Sequence, residues 1–349
     1  MADIYAVDLF CGAGGLTYGF EQAGLPVIAG YDIDQMCQFP YETNNKAKFI
    51  CSRVEDIVSS ELIEIFPTKS IKVLVGCTPC QPFSTYSRRY LGKNQGWEKW
   101  QLLRDFVRLV EESYPEVVSM ENVLQLKQHA VFLEFVLKLQ KLSYHTKVYE
   151  VNCQEYGVPQ TRKRLVLFAS KFGEVEMLSP THNKDNYNTV RKVIGDLEPL
   201  IAGQSSEVDR LHRCSKLSEL NLQRIRASKP GGTWRDWSED LIASCHTKKS
   251  GKTYPGVYGR MEWDSLSPTI TTQCFGFGNG RFGHPNQDRA ISLREAALLQ
   301  TFPPDYEFVL PAQPVKFSHI GRLIGNAVPV KLGKAIAQSI LNHVNSVKP

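Results

Sequence analysis

Residues 4–10, Ile-Tyr-Ala-Val-Asp-Leu-Phe, form an apolar run that empties into the glycine-rich turn Cys11-Gly-Ala-Gly-Gly15; a helical pattern then begins at Leu16 and ends at Gly24. A buried strand that turns on glycines into a helix is the opening unit of a layered α/β fold. The same rhythm continues along the chain. Residues 27–31 read as a second strand, with a short helical stretch from Asp34. Residues 71–75, 116–120 and 164–169 read as further strands, and helical segments lie around 101–112 and 131–142. Strands alternating with helices predict a doubly wound, Rossmann-like parallel sheet.

After about residue 180 the rhythm stops. Residues 183–290 are polar, basic and rich in turns, as in Pro230-Gly-Gly232 and Gly276-Phe-Gly-Asn-Gly280, which predicts a smaller domain of irregular or mixed structure. A helical pattern returns over 328–344. The expected division is therefore 1–185 with 318–349 as one domain and 186–317 as the second. Between Arg210 and Arg260 eleven basic residues face four acidic ones, a larger excess than the +5 of the whole 349-residue chain. Clustered cations of this kind suit a nucleic-acid backbone, because they release its counterions. No apolar run is long enough to span a membrane and the N-terminus lacks signal-peptide features, so a cytoplasmic protein is expected. Nine cysteines without regular spacing fit a reducing compartment.

Four places carry chemistry. In the turn after the first strand, Gly12, Gly14 and Gly15 let the backbone approach a ligand, and the helix start favours a carboxylate or phosphate. The turn is not a complete G-x-G-x-x-G, so a dinucleotide is not indicated. Asp32 ends the second strand, where a carboxylate commonly takes ribose hydroxyls, and Asp56 is placed to meet an adenine edge. Together they suggest an adenosyl ligand. Gly76-Cys-Thr-Pro-Cys-Gln-Pro-Phe-Ser84 follows the strand 71–75 and frames Cys80 with Pro79 and Pro82. Two fixed φ angles and two missing amide donors exclude helix interior and central strand, so the turn presents a rigid thiol. The Cys77/Cys80 spacing is also compatible with a zinc half-site or a redox dithiol, although the other cysteines are too scattered to complete a zinc site. Glu121 directly follows the strand 116–120 and is a candidate acid or hydrogen-bond donor beside the thiol. Arg162 and Arg164, two apart, share one face of an extended segment and can converge on an anion or a base carbonyl.

These elements, in this order, resemble the C5-cytosine-specific DNA methyltransferases of bacterial restriction-modification type. Residues 8–16 resemble that family's S-adenosylmethionine motif, 79–84 its Pro-Cys-Gln nucleophile loop, Glu121-Asn-Val its ENV motif and 160–164 its Q-x-R-x-R motif. Residues 289–303 resemble the motif that braces the small domain, and Gly325-Asn-Ala-Val-Pro329 the closing motif. The resemblance implies Cys80, Glu121, Arg162 and Arg164 as catalytic residues. For the cofactor S-adenosylmethionine it implies Phe10, Gly12, Ala13, Gly14, Gly15, Leu16, Asp32, Ile33, Asp56, Ile57, Pro79, Asn326 and Val328, with no metal. For double-stranded DNA it implies Gln81, Ser84, Tyr86, Arg88, Arg89, Arg224, Arg226, Arg235, Arg260, Thr269 and Thr271, residues 84–97 being expected to close on a flipped base. It also implies a monomer in the nucleoid and a cognate restriction endonuclease as partner. The alternatives are a tRNA cytosine-5 methyltransferase, which shares the thiol, Glu and Arg chemistry, and a catalytically idle DNA-binding protein of the same fold. One departure stands out. The family commonly has Gly-Pro-Pro-Cys or similar up to the nucleophile, whereas this chain has Cys77-Thr78-Pro79-Cys80; with Pro79 retained, activity is expected to be intact, and an adventitious Cys77–Cys80 disulfide on oxidation is the expectation for Cys77.

Overall fold

A computed structural model describes residues 3–79, 95–248, 251 and 255–347, with the side chains of 95–100 left aside. Seven strands form one sheet: β1 (Ile4–Leu9), β2 (Val27–Asp32), β3 (Lys48–Cys51), β4 (Ile71–Gly76), β5 (Val117–Asn122), β6 (His145–Asn152) and β7 (Lys163–Ser170). Their order across the sheet is β3-β2-β1-β4-β5-β7-β6. β1 to β5 are parallel neighbours, and β7 runs antiparallel to both β5 and β6. The strand order reverses between β1 and β4, and open α/β sheets bind ligands beyond the carboxyl ends of their strands at such a switch point. Leu9 and Gly76, the last residues of β1 and β4, are paired there.

β5 is buried along its whole length and β1 and β4 along most of theirs, which explains their near-continuous apolar sequences. On one face the helices Gln95–Ser113 and Ala130–Lys141 contribute Phe106, Leu109, Phe135 and Leu139 to a core with Val7, Leu74, Val118 and Leu167. The rings of Phe106 and Phe135 meet edge to face at 5.7 Å. The helices Gly15–Gln22 and Val330–Val347 pack against each other. A Cβ on Gly19 would stand 2.6 Å from the Lys334 nitrogen and 2.8 Å from the Gly333 carbonyl carbon, so this crossing requires glycine.

The chain divides into two compact units. One comprises Met1–Tyr156, Lys163–Thr181 and Val328–Pro349, and the other Gly157–Arg162 and His182–Ala327. The helix Phe317–Asn326 goes with the second unit, where Gly321 packs on Phe275 and Gly325 on Thr271. Between His182 and Ala327 the described residues form short helices and isolated bridges without a strand. Buried charge holds this unit together. Arg289 forms a two-pronged pair with Glu295, 2.7 Å on each arm, with both side chains almost wholly excluded from solvent. Glu295 also closes the capping box with Ser292 at the start of the helix Leu293–Leu299.

Candidate active site and nucleic-acid surface

The turn after β1 is built from left-handed residues: φ is 61° at Phe10, 54° at Gly12 and 90° at Gly14. For a bulky residue such as Phe10 this conformation is an outlier, held here by its surroundings. The φ of Gly12 favours glycine, and no described residue other than its chain neighbours lies within 4 Å of where a Cβ would be, so the space beside it is open among the described residues. The Gly12 amide donates to Asp32 Oδ2 at 3.0 Å, which ties the turn to the end of β2. Ala13, Gly15 and Leu16 are buried in the turn and first helix, and no side chain caps that helix at Gly14. Ile33 is 59% exposed beside Asp32. Asp56 and Ile57 line a separate cleft of about 320 Å³ with Tyr31, Ile50 and Ser52, and neither Asp32 nor Ile33 belongs to that lining. Val328 is buried just before the helix Val330–Val347. Asn326 ends the helix Phe317–Asn326 in the second unit.

Beneath the turn lies Asp8, 1% exposed. Thr17 donates its hydroxyl to Asp8 Oδ2 at 2.8 Å and lies 2.9 Å from the Tyr41 hydroxyl. Oδ1 is buried without a hydrogen-bond partner among the described residues. Burial pushes the Asp8 carboxyl up to about 7; the Thr17 hydrogen bond opposes this and the Asp32 charge adds to it.

β4 and β5 deliver the second part of the site. Gly76 pairs with Met120, and the next two residues of each chain segment continue that register through side chains. The Cys77 thiol donates to Glu121 Oε2 at 2.9 Å. Asn122 Nδ2 donates to the Thr78 carbonyl at 3.0 Å and to its hydroxyl at 2.9 Å, leaving Pro79 exposed at the strand end. Glu121 is 3% exposed, and Arg164 Nε lies 2.9 Å from its Oε1. The N–H is not aimed at that oxygen, which has no hydrogen-bond donor among the described residues, so Arg164 contributes charge more than direction. Cys80, Gln81, Ser84, Tyr86, Arg88 and Arg89 lie outside the described residues.

Arg162 and Arg164 fall to different units. Arg162 is buried and donates to the carbonyls of Ile270 and Ala327 at 3.2 and 3.4 Å. Gln160 braces the same unit, donating to the Leu299 carbonyl and accepting from the Ile270 amide. Ile270 thus points inward, while Thr269 and Thr271 line a cleft of about 600 Å³ with Thr161, Glu262, Asn279 and Arg281. Arg281 Nε is buried without a hydrogen-bond partner among the described residues. Arg281 directly follows the glycine-rich turn Gly276-Phe-Gly-Asn-Gly280 and belongs to no motif of its own, so only its place in this cleft brings it forward.

The basic stretch needs one correction. Arg260 is 5% exposed, and its guanidinium donates to the carbonyls of Ile225, Ser228, His284 and Gln287 and pairs with Asp288. It is a brace within the unit and presents no cation to DNA. Arg224 is also committed, bonding the Leu241 carbonyl and Asn221 while stacking near Trp237 and Tyr258. Arg226, 3.5 Å from Asp288, and Arg235, over the Trp234 ring, remain exposed. No group of His, Cys, Asp or Glu suited to a metal occurs among the described residues, and no helix there is long and apolar enough to cross a membrane.

A family model described as C-5 cytosine-specific DNA methylase matches residues 4–342. The Type II methylase M.HgiDII of Herpetosiphon aurantiacus is 52% identical over 337 residues, covering 96% of this chain and 94% of that protein. The Type II methyltransferase M1.HphI of Haemophilus parahaemolyticus is 30% identical over 341 residues, covering 96% and 86%. Among solved structures, a putative DNA modification methyltransferase encoded within an E. coli prophage matches with a TM-score of 0.73 at 21% identity, covering 98% of this chain and 100% of that one. The S. pombe Dnmt2 methyltransferase matches with a TM-score of 0.60 at 16% identity, covering 99% and 100%. At these identities the structural likeness is one of fold.

Proposed function

The chain belongs to the C-5 cytosine-specific DNA methylase family and is a DNA cytosine-5 methyltransferase; we propose that it flips a cytosine out of a short specific duplex site and methylates C5 through a covalent bond from Cys80 to C6. The observation that carries this reading is the buried Glu121 carboxylate at the end of β5, with one oxygen left without a donor among the described residues. That oxygen is available to an N–H of a base, and the neighbouring Arg164 keeps charge at hand.

Flipping costs a few kcal/mol of stacking and pairing, offset by contacts in the pocket. Addition of the Cys80 sulfur to C6 breaks the C5–C6 double bond and places electron density on C5. Glu121 accepts from the exocyclic amine N–H and shares a proton with N3, an acceptor, which neutralises the charge that the addition places on the ring. Once C5 is substituted, its proton leaves to solvent, the double bond re-forms and the sulfur is expelled. S-adenosylmethionine, when bound, supplies the electrophilic methyl group. The residues present fit it: the open left-handed turn at Gly12, the uncapped helix start at Gly14, and the Asp32 carboxylate at the end of β2.

The role we assign is protection of DNA within a Type II restriction-modification system with a cognate endonuclease, supported by the names of the relatives. DNA contacts are assigned to Thr269, Thr271, Arg226, Arg235 and the added Arg281. Duplex containing 5-fluorocytosine at the target should be trapped as a covalent adduct by wild type and not by Cys80→Ala. An adduct that persists in the variant refutes the nucleophile.

A further inference from the structure

We propose that Cys77 is a positioning residue for Glu121, its thiol fixing the direction in which the carboxylate faces the cytosine; the inference rests on the reading of Glu121 given above. Among the described residues two ties hold the carboxylate, and they differ in kind. Arg164 Nε is 2.9 Å from Oε1, but its N–H is directed elsewhere, and a charge alone attracts without orienting. The Cys77 thiol is 2.9 Å from Oε2 and is the hydrogen-bond donor to that side chain among the described residues. A single directed bond to one oxygen sets the rotation of the carboxylate plane and leaves the other oxygen for the base.

The thiol is itself held in place. Gly76 ends β4 in register with Met120, and Asn122 clamps Thr78 by both its carbonyl and its hydroxyl. Cys77 therefore stands between two fixed points, one residue on either side, and opposite Glu121. A thiol suits the task chemically. It is a weak neutral donor, so it orients the carboxylate without adding a second positive charge beside Arg164. Cys77 is also where this chain departs from the family's Gly-Pro-Pro-Cys pattern, in which glycine at this position supplies no such donor.

The test is single-turnover methyl transfer to duplex DNA by Cys77→Ala, Cys77→Ser, Glu121→Gln and the double variant Cys77→Ala/Glu121→Gln. Cys77→Ala should lower the rate by about tenfold, the equivalent of one directed hydrogen bond. Its affinities for S-adenosylmethionine and for duplex should be unchanged. Cys77→Ser, which keeps a donor in a similar volume, should recover most of the rate. On the Glu121→Gln background the Cys77→Ala change should have no further effect, because it acts through that carboxylate. Wild-type rates in Cys77→Ala, a serine variant as slow as the alanine one, or an undiminished alanine effect on the Glu121→Gln background would each overturn the inference while leaving the reading of Glu121 intact. A wild-type rate in Glu121→Gln alone would instead remove that reading, and the inference with it.

Discussion

Asp8 makes this enzyme less stable as the solution becomes more alkaline, in a range where most carboxylates are silent. Its carboxyl titrates at an ordinary 3.8 when unfolded and at about 7 when buried beneath the glycine turn. The folded state therefore binds a proton that the unfolded chain has already released. The stability this contributes is complete below the unfolded value and is lost as pH rises through the folded one. Between about pH 5 and 6.5 the loss runs near 1.4 kcal/mol per pH unit, and the whole shift corresponds to roughly 4 kcal/mol. Asp8→Asn keeps the shape and an acceptor for Thr17 but cannot titrate. Its amide places N–H groups where Oδ1 now lacks a partner, so a pH-independent penalty of about 1–3 kcal/mol is also expected. Urea unfolding of wild type and variant, side by side across this range, separates the two effects. The variant should gain on wild type by about one proton's slope and the two curves should run parallel above about pH 8. His284, which burial lowers to about 4, titrates in both proteins and cancels in the difference. Parallel curves over the whole range would refute the buried, protonated Asp8.

Two further outcomes concern the second unit. Glu295→Ala should destabilise it by about 3–5 kcal/mol, because Arg289 would be left as an unpaired buried cation; chemical denaturation of wild type and variant measures this. Although burial opposes ionisation, the Arg289 hydrogen bonds and charge hold the Glu295 carboxyl below its usual range, so its contribution is present near neutrality and disappears only as pH falls through that lowered value. Arg281→Ala and Arg235→Ala should each weaken duplex binding and reduce the salt dependence by about one counterion, with S-adenosylmethionine affinity unchanged; fluorescence anisotropy at several salt concentrations checks this, and an unchanged slope in both removes the assigned surface.

The strands that the sequence pattern announced are the ones buried on both faces. β3 and β6 escaped the pattern because they lie at the two edges of the sheet. β6 in particular, His-Thr-Lys-Val-Tyr-Glu-Val-Asn, alternates weakly and is only partly buried. The basic stretch misled for a related reason. Net charge counts a cation whether it faces solvent or, like Arg260, is spent on four carbonyls inside the unit. Local motifs located Glu121, but its partners are separated from it by 43 or 44 positions and could not be read from either segment alone. They follow from register. Val73 pairs with Val117 and Gly76 with Met120 at one constant offset, and Cys77–Glu121 and Thr78–Asn122 keep that offset beyond the last strand bond. Because side chains alternate along a strand, a slip of one residue between β4 and β5 would turn Cys77 and Glu121 to opposite faces. The apolar core that fixes the register, Leu74 and Val118 among it, thereby also sets the direction of the carboxylate.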